Sequence, residues 1–185
     1  VPLTAGAPDF RERLLNATGK TLRVPTIAER VKDHGGSIVF SNVSPGAAYF
    51  QDPDGHGHVY HRSGSFAPGL VAIEGGDHLD VSHDFDGDTA MTKRFIDEVV
   101  RGRQPRTAVL WQCEPDHSQH EYQLGSPEHL AALSAADANA GRVADAVAEL
   151  NGAGEDILLL IGSDHGHETV GRIINLEAAL IDAGF

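Results

Sequence analysis

The chain has 185 residues, enough for one domain with its own core, and a 41% apolar and 22% charged make-up that suits a globular protein. A net charge of −13, from 14 basic and 27 acidic residues, excludes the basic face that a nucleic-acid polymer or a membrane surface would need. No run approaches the roughly 18 consecutive apolar residues of a membrane helix, and the single cysteine, Cys113, excludes an internal disulfide framework.

The start, Val1-Pro2-Leu3-Thr4-Ala5, has neither an initiator Met nor a basic leader, so the chain reads as a piece of something longer and its compartment stays open. Asp9 to Leu15 suits a short helix and Asn16 to Lys20 a turn. Pro25 to His34 reads as a helix, with Ile27 and Val31 on one face and Gly35-Gly36 at its end. Ser37 to Ser41 then reads as a short buried strand. Ala47–Gln51 and His58–Arg62 flank Asp52-Pro53-Asp54-Gly55, a pattern that predicts a hairpin. His56, His58 and His61 in it read as polar loop and strand-face residues.

Residues 63–88 are polar and irregular, with only Leu70 to Ile73 suggesting a strand. His83-Asp84-Phe85-Asp86-Gly87-Asp88 is not a calcium loop: counted from Asp84, the required Gly and Glu positions hold Thr89 and Phe95. It reads as a solvated turn that caps the next helix. Thr89 to Arg101 is that helix, with Met91, Phe95 and Val99 on one stripe.

Thr107 to Cys113 predicts a strand. Ser126-Pro127-Glu128 opens the longest helix, with a capping Ser, a Pro in the first turn and an acid at the positive end. Its buried face is expected at Leu130, Leu133, Ala140, Ala144 and Val147. Asp137 falls on that stripe, where a carboxylate needs a partner. Asp156 to Ile161 is the most apolar strand, and its continuous run suits a strand covered on both faces. Glu168 to Ala183 reads as a last helix using Val170, Ile173, Ile174 and Leu180. Strands alternating with helices predict an α/β fold, with a largely parallel sheet and helices on both faces.

Two loops carry the chemistry. Cys113-Glu114-Pro115-Asp116-His117-Ser118-Gln119-His120 follows one strand, and Gly162-Ser163-Asp164-His165-Gly166-His167 follows another. In open α/β sheets, ligands bind beyond the carboxyl ends of the strands. Asp and His suit Zn²⁺ or a similar divalent ion. Asp116 and His120 can reach one ion around a turn, and Gly162 and Gly166 let the neighbours Asp164 and His165 converge. Two ions about 3.5–4 Å apart can clamp both oxygens of a phosphoryl displacement. His117, Glu121 and His167 are candidates for orienting these ligands.

The "PD" with His at the fourth position, followed by a strand ending in "SDHG", resembles the alkaline phosphatase superfamily, and within it the type I phosphodiesterase/nucleotide pyrophosphatase branch. Ser126-Pro127-Glu128 and the stretch from Val24 to Gly36 look like that branch too. The resemblance implies an alkaline phosphatase-like fold, incomplete here: residues 1–185 would be a partial catalytic domain with an irregular loop and hairpin insertion at about 43–88. It further implies a two-metal hydrolase of phosphodiester or nucleotide pyrophosphate bonds, acting through a transiently phosphorylated Thr or Ser, on a small phosphorylated substrate such as a nucleotide.

By position, the resemblance gives Asp116 and His120 to one divalent ion and Asp164 and His165 to the other, zinc being the best fit. Each set would be completed from outside the chain. Thr4, Thr18, Thr21 and Thr26 stand in no context that marks a nucleophile, so the chain alone is expected to be inactive. A related phosphonate, phosphomonoester or sulfate-ester hydrolase, or a non-catalytic domain of the same fold, are the alternatives.

Overall fold

The strand that organises the sheet is β1 (Ser37–Ser41), whose five residues are all buried. The computed structural model describes residues 5–185, so Thr4 lies outside the described residues. β2 (His58–His61) and β5 (Thr107–Trp111) flank β1, both parallel to it. β3 (Ser65–Ala67) and β4 (Val71–Ile73) continue antiparallel beyond β2, giving the order β4-β3-β2-β1-β5. Alternation along β1 serves two cores. Ile38 and Phe40 join Tyr60, Leu79, Met91, Phe95 and Val99 on one face, while Val39 joins Tyr49 and Val59 on the other. The expected α/β fold is therefore present, with two short antiparallel strands at one edge.

Local signals set most helices. α1 (Phe10–Thr18) stops at Gly19, whose φ of 71° lies in the left-handed region that glycine tolerates. Thr26 caps α2 (Ile27–Val31) by accepting the Glu29 N–H. Asp84 does the same for α4 (Phe85–Phe95), taking the Gly87 N–H at 2.8 Å, and the chain continues as wider π-helical turns over Ile96–Arg103. The stripe of Met91, Phe95 and Val99 is buried as expected. A short α5 (Asp116–Glu121) precedes the long α6 (Pro127–Gly152), which Ser126 caps through the His129 N–H. α7 (Leu176–Asp182) closes the chain. No described helix is long and apolar enough to cross a membrane.

Four expectations need correction. The predicted hairpin is not formed: Pro45–Tyr49 is a helix, α3, and His58–His61 lies parallel to β1. Pro45 follows Ser44 in the first-turn position that proline favours. The buried Asp52 carboxylate then takes the His56 and Gly57 N–H groups, which ties the turn from within. Gly57 is required there, since a Cβ would fall 2.3 Å from the Ser37 carbonyl oxygen.

Ile157–Ile161 is extended but joins no ladder. Ile157 and Leu159 pack against Ile96, Val143, Ala146 and Val147, whereas Leu158 and Leu160 are each 82% exposed. Only one face finds cover. The last helix is shorter than predicted, because Thr169, Val170, Gly171, Ile173 and Ile174 are poor helix formers and Asn175 supplies the cap, accepting the Ala178 N–H. Val170, Ile173, Ile174 and Leu180 are exposed.

Finally, α6 is turned by about one residue, roughly 100°. Its buried residues are His129, Ala132, Asn139, Val143, Ala146 and Val147, and Leu130 and Leu133 are exposed. Polar contacts set that rotation. Asn139 Nδ2 donates to Gln112 Oε1 at 2.7 Å, and His129 Nδ1 accepts the Gly125 N–H at 2.9 Å. Asp137 consequently faces solvent rather than the core.

Candidate metal centre

β1 and β5 end side by side, where the Asn42 N–H donates to the Trp111 carbonyl at 2.9 Å. The chain leaving β5 is fastened at once. Asp88, 1% exposed on α4, accepts the N–H groups of Cys113 and Glu114 at 3.2 and 2.9 Å and the Asn42 amide at 3.0 Å. Burial raises the Asp88 carboxyl above its ordinary pKa while these donors oppose the shift. The same burial, with Asp88 beside it, pushes the Cys113 thiol far up. Glu114, also buried, accepts the Ser118 N–H at 3.0 Å and so anchors α5.

α5 opens with Asp116 and carries His120 one turn later. The chain beyond Ile161 crosses the same end of the sheet and brings two imidazoles to Asp116. His167 Nε2 lies 2.7 Å from Asp116 Oδ1, and His165 Nε2 lies 3.5 Å from that same oxygen. His120 Nε2 is 3.6 Å from Asp116 Oδ2, and Asp164 Oδ2 is 3.7 Å from His165 Nε2. The structure thus brings Asp116, His120, Asp164 and His165 together, with Asp116 and His165 as the link between the two loops. His167, read from the sequence as an orienting residue, stands in direct contact. One ligand atom each from Asp116, His120 and His167 lie within 4.8 Å of one another, a spacing that one divalent ion can span. Among the described residues no lysine or arginine forms an ion pair with the group, and carboxylate and imidazole donors suit a divalent ion.

These residues line a cavity of about 870 Å³ over the strand ends. Leu133, Ala136, Asp137 and Ala140 of α6 form one wall, which places Asp137 at the cavity rather than in the core. Sequence reasoning missed Arg62 and His83, which also line it. His83 packs on His117 with ring centroids 4.5 Å apart, and both line the cavity. Glu121 is exposed and outside the lining. His56, His58 and His61 are outside it as well.

His61 is fully buried: Nδ1 accepts the Ser63 N–H and Nε2 bonds the Val43 carbonyl, the pattern of a neutral imidazole protonated on Nε2. Burial first, then the nearby Arg62 charge, holds its pKa down at about 4. Among the described residues no candidate threonine lines the cavity. Thr18 donates to Leu14 and Lys20 carbonyls, Thr21 to Asp54, and Thr26 caps α2. Ser163, which does line it, donates to the His165 carbonyl.

The family model for type I phosphodiesterase / nucleotide pyrophosphatase matches residues 47–184, a span that takes in β2, β5, α6 and both Asp/His loops. Neither a curated protein nor a solved structure matches the chain. With most of its length covered by that match, the chain belongs to the type I phosphodiesterase / nucleotide pyrophosphatase family, a branch of the alkaline phosphatase superfamily.

Proposed function

We propose that the Asp/His cluster is the divalent-metal centre of a hydrolase that cleaves phosphodiester or nucleotide pyrophosphate bonds. The family is one of phosphodiesterase and pyrophosphatase-type hydrolases acting on small phosphorylated substrates such as nucleotides. The meeting of His167 with Asp116 at 2.7 Å, across 51 residues of chain, carries this reading. Random surface histidines have no reason to gather on one carboxylate from two separate loops.

Asp116, His120 and His167 would hold one zinc ion, and Asp164 with His165 a second. Bound there, such ions supply Lewis-acid polarisation of phosphoryl oxygens. The protein's own part is to hold those ligands in place. Asp88 and Glu114 fix the backbone on which Asp116 sits, and α6 forms one wall of the cavity. Among the described residues no threonine lines the cavity, and the serines that do are Ser44 and Ser163.

Zinc titration of the chain tests the metal centre: binding that Asp116→Asn and His167→Gln leave untouched would remove both residues from it. Metal-dependent release of p-nitrophenol from the bis-ester by a longer form of the protein, compared with the monoester and the sulfate, tests the reaction class. Preference for either comparison substrate would overturn the phosphodiesterase reading.

A further inference from the structure

The cavity has one permanent cation among the described residues that line it, Arg62, at the end of β2. The guanidinium is half-buried, and none of the described carboxylates forms an ion pair with it. One nitrogen, Nη1, is occupied: it donates to the Asn42 carbonyl at 2.8 Å, the Asn42 side-chain oxygen at 3.2 Å and the Val43 carbonyl at 3.0 Å. Nη1 also lies 3.2 Å from His61 Nε2; these contacts fix the plane of the fork, and among the described residues neither Nε nor Nη2 has a hydrogen-bond partner. In a chain of net charge −13, an arginine that feels the buried Asp88 but forms no ion pair with a described carboxylate is a feature to explain.

His83 and His117 stand in the same cavity, packed on each other. His83 is near enough to feel the Arg62 charge, which acts with burial to lower its pKa. Three groups that donate hydrogen bonds or carry positive charge therefore share one wall. Glu114 and Asp88 are the acids behind that wall, and both are buried and spent on backbone N–H groups. A planar fork with two free donor nitrogens matches two oxygens of a tetrahedral oxyanion.

We propose that Arg62, His83 and His117 form an anion-binding position for a phosphate group, separate from the Asp116 cluster in the same cavity. This deepens the hydrolase reading, on which it rests for the anion being part of a substrate. A substrate would then carry a second phosphate beside the one at the Asp/His cluster, as a pyrophosphate-linked compound does and a simple diester does not.

Inorganic phosphate titrated into the full chain, with EDTA present and ionic strength held constant, tests the position by ¹H–¹⁵N NMR. Saturable shifts are expected at the Arg62 Nε–H and at His117. Arg62→Met should weaken binding about tenfold and His117→Gln about threefold, as the loss of charge-assisted and neutral hydrogen bonds requires. Arg62→Met also removes bonds to Asn42 and Val43, so Arg62→Lys, which keeps the charge but loses the fork, runs beside it and should bind phosphate more weakly than the parent and more tightly than Arg62→Met. Asp116→Asn should not weaken phosphate binding at all.

Wild-type affinity in both Arg62→Met and His117→Gln would overturn the proposal, and so would phosphate binding that Asp116→Asn abolishes. A protein that binds phosphate as described yet hydrolyses no ester keeps this position and loses the hydrolase reading. A metal-dependent hydrolase whose phosphate affinity ignores Arg62 and His117 does the reverse.

Discussion

The Asp88 carboxylate accepts the Glu114 N–H at 2.9 Å, so a residue of α4 holds the backbone two positions ahead of Asp116. Asp88→Ala would strip the backbone N–H groups of Cys113 and Glu114 of their acceptor inside the protein. At about 1–3 kcal/mol for each buried unsatisfied group, the expected loss of stability is roughly 3–4 kcal/mol. For a chain of this size that corresponds to a melting point lower by about 10 °C. Thermal unfolding followed by circular dichroism measures it, and an unchanged midpoint would show that the network contributes nothing.

His61 makes stability depend on pH. Its folded pKa of about 4 lies below the ordinary imidazole value, so the unfolded chain takes up the proton first as pH falls. The contribution of His61 is complete above pH of about 6.5 and disappears as pH drops toward 4, a loss of roughly 3 kcal/mol at about 1.4 kcal/mol per unit. Urea unfolding at pH 7 and at pH 4.5 should show the decline, and His61→Gln should flatten it. A variant with the same slope as the parent would acquit His61.

Cys113 should resist alkylation in the native chain. It is 2% exposed, and burial with Asp88 alongside disfavours the reactive thiolate. Iodoacetamide labelling followed by mass spectrometry should be slower by about two orders of magnitude or more than in guanidinium. Rapid labelling under native conditions would contradict both the burial and the Asp88 contact.

The extended segment at Ile157–Ile161 offers a contrast within two residues. Leu158→Ser should change stability by less than about 0.5 kcal/mol, as exposed substitutions do. Leu159→Ala, which opens a gap beside Ile96, Val143 and Val147, should cost about 1–3 kcal/mol, less than a fully buried leucine because Leu159 is only half-covered. Equal effects would mean that both faces are covered in solution.

The parts of the fold read correctly in advance are those that local chemistry decides. Ser126 caps the long helix, the turn before α4 supplies its cap through Asp84, and Met91, Phe95 and Val99 form a stripe that only burial explains. What escaped depends on neighbours distant in the chain. Ile157–Ile161 has strand composition, but a strand also needs a partner edge. α6 has a leucine stripe, but its rotation follows Gln112 and Gly125, which meet Asn139 and His129.

The same holds at the site. The argument that a carboxylate on an apolar stripe needs partners is sound, yet it belongs to Asp88, which precedes Met91 and Phe95 by one and two turns, and not to Asp137. The two Asp/His loops were legible because their residue types are unusual together. Arg62 was not, since nothing in "HVYHRSG" distinguishes it from a solvated arginine.

The stretch from Gly162 to Asn175 has no helix or strand to stiffen it, and its grip on the body is the reach of His165 and His167 to Asp116. Whatever draws those imidazoles and that carboxylate tighter also tethers the last helix, so occupancy of the centre and the mooring of the C-terminal tail are one event rather than two.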